Sequence, residues 1–173
     1  MSPCETHLLA RFNGFPFGPT GECHKMTPND YLNLICRPHV EAFASDPTCL
    51  SKAWAAVVSL GQFTDYLAAG LGISKTAARK KIKSAFPQFD LVSDVGNASK
   101  HFELHDPRRT NRPGFSIGHL KIGKSAAFSD GSFFSDGSSF AEHPNVVRAD
   151  FANEHTDMVH LCKTCLACLE TVA

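Results

Sequence analysis

The spacing of apolar residues changes along the chain, and the change divides it into helical and strand-like parts. From 27 to 105 apolar residues recur three and four apart, the helical period. Thr27-Pro28-Asn29-Asp30 predicts a helix start: a capping hydroxyl, Pro in the first turn, and an acid near the positive end. This helix is expected to carry Tyr31, Leu34, Ile35, Val40 and Phe43 inward. Pro38 must kink or break it, because Pro lacks the ladder donor and clashes with the preceding turn. After the turn Asp46-Pro47-Thr48, Leu50 to Leu71 predicts the longest helix. Trp54, Val57, Val58 and Gly61 lie on one side, and Ala56, Leu60, Phe63 and Leu67 on the other. A helix apolar on two sides is expected at the centre of a bundle. Asp65 falls on the Trp54 side, an awkward place for a carboxylate. Gly70-Leu71-Gly72 ends the helix, Ser74 caps a basic one from Lys75 to Phe86, and Pro87 leads into another running from Asp90 to Leu104.

Beyond His105 the pattern shifts. Phe115 to Ile122 alternates with period two, as a half-exposed strand does. Phe128-Ser129-Asp130-Gly131-Ser132-Phe133 is echoed by Phe134-Ser135-Asp136-Gly137-Ser138, and each Asp-Gly signals a hairpin turn. Val146 to Phe151 reads as a last strand. Asn153 or Thr156 is the expected cap of a final helix with Val159, Cys162, Leu166 and Leu169 inward. The expected fold is mainly α (α+β), a bundle of four or five helices with a small antiparallel β-meander before the last. One domain, 1–173, would comprise an N-terminal arm (1–26), the bundle (27–105), a basic loop and meander (106–152) and a C-terminal helix (153–173). The final helix can bury its stripe only against the earlier ones, which makes them one unit.

Composition narrows the function classes. Lys plus Arg equals Asp plus Glu, 17 each, so no global field draws the protein to nucleic acid or anionic lipid. There is no run of apolar residues long enough for a membrane helix, and no signal-peptide core among the first residues. Seven Cys without such a leader predict a cytoplasmic protein with reduced thiols. Cys162, Cys165 and Cys168, near His155 and His160, have the spacing of one helix rather than of two converging zinc knuckles. Cys23-His24 with Cys36 and His39 is a looser set, and Asp130, Ser132 and Asp136 miss the calcium-loop spacing. Neither a metal nor a cofactor is expected. There is no nucleophile elbow and no Gly-rich phosphate loop.

The chemistry concentrates on the helix beginning at Asp90. Leu91, Val95, Ala98 and Phe102 share one face, and Asp94, Asn97 and His101 align on the adjoining one. Such a row is either a catalytic or binding site or a buried polar lock, with Asp65 reaching His101 across the bundle. Around it lie the cations: Arg79, Lys80, Lys81 and Lys83 before, Lys100 within, and Arg108, Arg109 and Arg112 after. They could contact phosphates if they shared a face, or form a solvated helix face beside a solvated loop.

The segment Asp94-x-x-Asn97-x-x-Lys100-His101-Phe102, following a helix with Phe63-Thr64-Asp65-Tyr66, resembles uncharacterised bacterial and phage proteins that are similar to HEPN (higher eukaryote and prokaryote nucleotide-binding) helical bundles. The resemblance covers 28–104 and, more faintly, the last helix. It implies an accessory protein of phage or mobile-element type binding RNA, a nucleotide or a protein partner, itself included. HEPN ribonucleases act as dimers, with an Arg followed after about four to six residues by a His. His101 would be that His, but Asp94, Val95 and Gly96 stand where the Arg belongs. Arg112/His119 and Arg148/His155 match the spacing outside any continuous helix, at a frequency chance explains. The leading expectation is binding at a polar cleft around His101. The alternatives are a metal-independent, toxin-like ribonuclease using His101, and a structural or inhibitory module whose meander adds an edge strand to a partner.

Overall fold

The first helix begins where the capping residues place it. In the computed structural model, which describes residues 25–98, 104, 112–124, 145–152 and 154–173, Thr27 Oγ1 accepts the Asp30 backbone N–H at 3.1 Å. The Asp30 carboxylate returns the bond to the Thr27 N–H at 3.1 Å, completing a capping box. The helix runs as α1 (Pro28–Tyr31), a π turn (Leu32–Cys36) and α2 (Arg37–Ala44). The π turn answers Pro38: the Arg37 N–H reaches back five residues to the Leu32 carbonyl, widening the backbone just before the residue that cannot donate. Tyr31, Leu32, Cys36, Val40 and Phe43 are buried, whereas Leu34, expected inside, is 62% exposed.

Helix α3 (Leu50–Leu71) touches α1, α2 and the three later helices. Ala53, Ala56, Val57, Leu60, Phe63 and Leu67 are sealed in the core. It ends in a Schellman turn: Gly72 adopts φ 64°, and the Ile73 N–H bonds the Ala68 carbonyl at 3.0 Å. Of its second apolar side only Val57 goes to the core. Trp54 stands at the surface, and Asp65 is exposed rather than buried.

Helix α4 (Lys75–Ala85) starts at Ser74, whose hydroxyl accepts the Ala77 N–H, and Ala78 and Ile82 anchor it. The most enclosed helix is α5 (Phe89–Ala98), nine of whose ten residues are buried, so it has no single inward stripe. By Leu104 the chain is no longer helical. The Leu104 backbone bonds Phe115 and Gly114, so the helix expected to continue through Leu104 ends before it.

The small sheet differs from the expected one. Ile117–His119 is a 3₁₀ turn, and strand β1 is only Leu120–Lys124. The turn is fixed locally by His119, whose ring receives the Ser116 N–H and stacks on Phe115. Strands β2 (Asn145–Phe151) and β3 (Glu154–Asp157) complete an antiparallel sheet in the order β1-β2-β3. Leu120 faces Ala149, Ile122 faces Val147, and Asp150 faces His155. The third strand lies where the final helix was expected to begin. Helix α6 (Met158–Glu170) is therefore capped by Asp157, whose carboxylate accepts the Val159 and His160 N–H groups, and not by Thr156 or Asn153. Val159, Cys162, Leu166 and Leu169 point inward as expected, joined by Leu161 and Cys165.

Distant contacts tie the sheet to the helices. The Val147 N–H bonds the Pro47 carbonyl at 2.8 Å, and Arg37 on α2 pairs with Glu170 on α6. Among the described residues no helix is long and apolar enough to cross a membrane. The arm at 1–24, with Cys23 and His24, and the Asp-Gly echo at 128–138 lie outside the described residues.

Candidate binding cleft

Three helices leave a gap where their surfaces diverge. Positions 58, 61 and 65 follow one another up the second side of α3, and this side is a wall rather than a core face. Val58, Gly61, Gln62, Thr64 and Asp65 line it, facing Lys75, Thr76 and Arg79 of α4 and Ser93, Gly96 and Asn97 of α5. The cleft is open to solvent on one side and has a volume of about 350 Å³, at the lower end of the roughly 300–1,000 Å³ typical of small-molecule sites. Helices α3 and α5 meet at Gly96, at the base of the cleft, with room left for an ordinary van der Waals contact. A β-carbon there would stand 3.8 Å from the Val57 carbonyl oxygen, so the α3 and α5 backbones lie near each other.

Helix α5 holds its cations with two carboxylates one turn apart. Asp90, 11% exposed at its side chain, takes Arg79 at 2.8 Å and Lys83 at 2.5 Å, themselves one turn apart on α4. Burial alone would raise the Asp90 carboxyl, but hydrogen bonds from Lys83 and Arg79 outweigh it and hold the group below the usual carboxylate range. Asp94 is completely enclosed and lies 3.5 Å from the Arg112 guanidinium, which is 19% exposed. Two of the cations proposed for a phosphate surface thus lean on Asp90, and a third on Asp94. Lys81 donates to the Val172 carbonyl at 3.2 Å, and Lys80 is exposed.

The predicted row therefore separates. Asn97 reaches the cleft wall, whereas Asp94 is sealed behind it. Asp65 forms an ion pair with Lys75 at 2.9 Å across the cleft. Lys100, His101, Arg108 and Arg109 lie outside the described residues, and with them the Asp65–His101 pairing. Sequence reasoning passed over Asp90, Lys75, Thr76 and Gln62. One signal for Asp90 was available: Arg79 and Lys83 are four apart on a helix, the spacing that presents two cations to one partner.

Elsewhere, His155 Nδ1 meets Asp150 at 3.0 Å, and Arg148 meets the same oxygen at 3.1 Å, on the sheet face away from Val147 and Ala149. Cys162 and Cys165 are core residues of α6. Among the described residues no group of three or more His, Cys, Asp or Glu side chains is placed to hold a metal ion. Comparisons with protein-family models, curated proteins and solved structures found no match for this chain.

Proposed function

We propose that this chain is a cytoplasmic, HEPN-like accessory protein that acts by binding, and that a nucleotide or the terminal phosphate of an RNA enters the α3–α4–α5 cleft. The observation carrying this reading is the cleft lining. Lys75 and Arg79 supply charge, Gln62, Thr64, Thr76, Ser93 and Asn97 supply donors and acceptors, and Val58 and Gly61 supply an apolar floor. Small-molecule sites combine an apolar wall with a few convergent polar groups in this way. The volume favours a single nucleotide unit over a long strand, which needs a row of cations along its phosphates. Lys83 and Arg112 are engaged by Asp90 and Asp94 and do not line the cleft, so they add no such row to Lys75 and Arg79.

Binding is favoured over cleavage because Asp94, Val95 and Gly96 occupy the positions of the HEPN arginine, and Asp94 has no access to solvent. The five free thiols described, Cys36, Cys49, Cys162, Cys165 and Cys168, suit a reducing compartment. The test is equilibrium titration with the four 5′-mononucleotides and a short 5′-phosphorylated RNA at low and high salt. Saturable binding that is weakened by salt and by Asn97→Ala is the expected result. No saturation by any of these probes at low salt would overturn the reading.

A further inference from the structure

The cleft contains its own competitor for an anion. Asp65 comes from α3 and Lys75 from the start of α4, so their 2.9 Å ion pair bridges opposite walls. Both side chains are open to water, Lys75 at 73% and Asp65 at 54%. Ion pairs this exposed contribute little and exchange readily. Arg79, one turn beyond Lys75, is in a different state: its bond to the nearly buried Asp90 fixes its place and leaves guanidinium donors over, since five are available. Two of the lining residues are cationic and one, Asp65, is anionic. Removing Asp65 from Lys75 would leave two cations one helical turn apart on one wall, a spacing suited to a single phosphate.

We propose that Asp65 holds Lys75 until it is displaced by the phosphate of a small phosphomonoester, which then sits between Lys75 and Arg79. The inference rests on the binding reading above and adds the group recognised and the residue that competes with it. Displacement forms no covalent bond; one carboxylate–ammonium contact is exchanged for a phosphate–ammonium contact. Asp65 therefore sets a threshold that dianionic phosphates pass more readily than neutral or weakly charged ligands.

The experiment is calorimetric titration of the full chain with 5′-AMP, adenosine, inorganic phosphate and a 5′-phosphorylated trinucleotide. Wild type is compared with Asp65→Asn, Lys75→Met and, as a charge control at another exposed pair, Asp46→Asn. Asp65→Asn is expected to tighten the phosphate-bearing probes about two- to fivefold, the ratio an exposed ion pair converts to, and to leave adenosine unchanged. Lys75→Met is expected to weaken the same probes, and Asp46→Asn to change none. The AMP, inorganic phosphate and trinucleotide arms identify whether the phosphate is read on a nucleotide, alone or at an RNA end. If AMP or the trinucleotide binds equally to wild type and Asp65→Asn, the competitor inference fails and the binding reading stands. If no probe saturates wild type or Asp65→Asn, both fail. Circular dichroism of each variant shows whether the helices are retained, which these surface substitutions should permit.

Discussion

Arg79 reaches Asp90 at 2.8 Å across the α4–α5 contact, and the carboxylate it meets is only 11% exposed. With Lys83 on the same carboxylate, the pairing fixes how α4 lies against α5 and therefore how wide the cleft stands. Because these bonds hold the folded Asp90 below its unfolded value of about 3.9, its contribution is present above that value and is lost as pH falls through the folded one. Asp90→Asn should accordingly destabilise by a constant amount above about pH 5, with the difference from wild type shrinking below about pH 4. Thermal melts of both proteins between neutral and acid pH measure this. A gap that stays constant down to acid pH would show that Asp90 acts through packing instead.

One turn along, Asp94 is enclosed with Arg112 at 3.5 Å. Removing one partner of a buried pair leaves the other charge uncompensated, so Arg112→Met, which takes this cation from the enclosed Asp94 carboxylate, should cost roughly 3–5 kcal/mol, measured by urea unfolding. Asp94→Ala should cost less, because the Arg112 left behind is partly exposed and can turn to water. The double substitution should cost less than the two losses added together. Additive losses would mean that the pair is not coupled.

The contact between the ends of α1 and α3 depends on a missing methyl group. A β-carbon at Gly70 would lie 2.5 Å from Pro28 Cγ and 2.7 Å from its Cδ, and a closed ring cannot rotate away. Gly70→Ala should lose about 1–3 kcal/mol through overpacking. Gly61→Ala meets nothing within 4 Å and should gain about 0.5–1 kcal/mol from helix propensity, while narrowing the cleft it lines. Opposite shifts of the urea midpoint are the expected outcome.

Ala152 holds φ 54° between β2 and β3, a left-handed conformation that L side chains with a β-carbon resist. Ala152→Gly should raise stability by up to about 1 kcal/mol, as relief of that strain exceeds the entropy Gly adds to the unfolded chain. A lower melting temperature would count against strain at this turn.

Thiol chemistry should separate the cysteines. Hydrogen bonding from Ser51, then from the Lys52 backbone N–H, lowers the Cys49 thiol, whereas burial pushes Cys36 up to about 12 and drives Cys162 and Cys165 up as well. Among the described cysteines, iodoacetamide labelling followed by peptide mass spectrometry should modify Cys49 first at neutral pH. Cys36, Cys162 and Cys165 should follow only on unfolding. Early labelling of Cys162 would mean that α6 opens from the core.

The sequence by itself determined the local elements. The bounds of α3, the Thr27 and Ser74 caps, the Gly72 stop and the inward face of α6 depend on neighbours within a turn, where propensity and period decide. It also gave a mainly helical bundle with a small antiparallel sheet before the last helix. Tertiary contacts decided the rest. Leu34, within the π turn before Pro38, lies outward because Tyr31, Leu32, Cys36, Val40 and Phe43 take the face that meets the core. The β2–β3 hairpin escaped notice because its loop begins with Ala152 rather than with a glycine or an Asp-Gly pair. The candidate site changed most. Asp94 and Asn97 are neighbours on a helical wheel, but a wheel does not say which surface is covered. The packing of α5 under α3 and α4 enclosed Asp94, left Asn97 on the cleft wall, and turned the apolar second side of α3 into the floor beside Asp65 and Lys75.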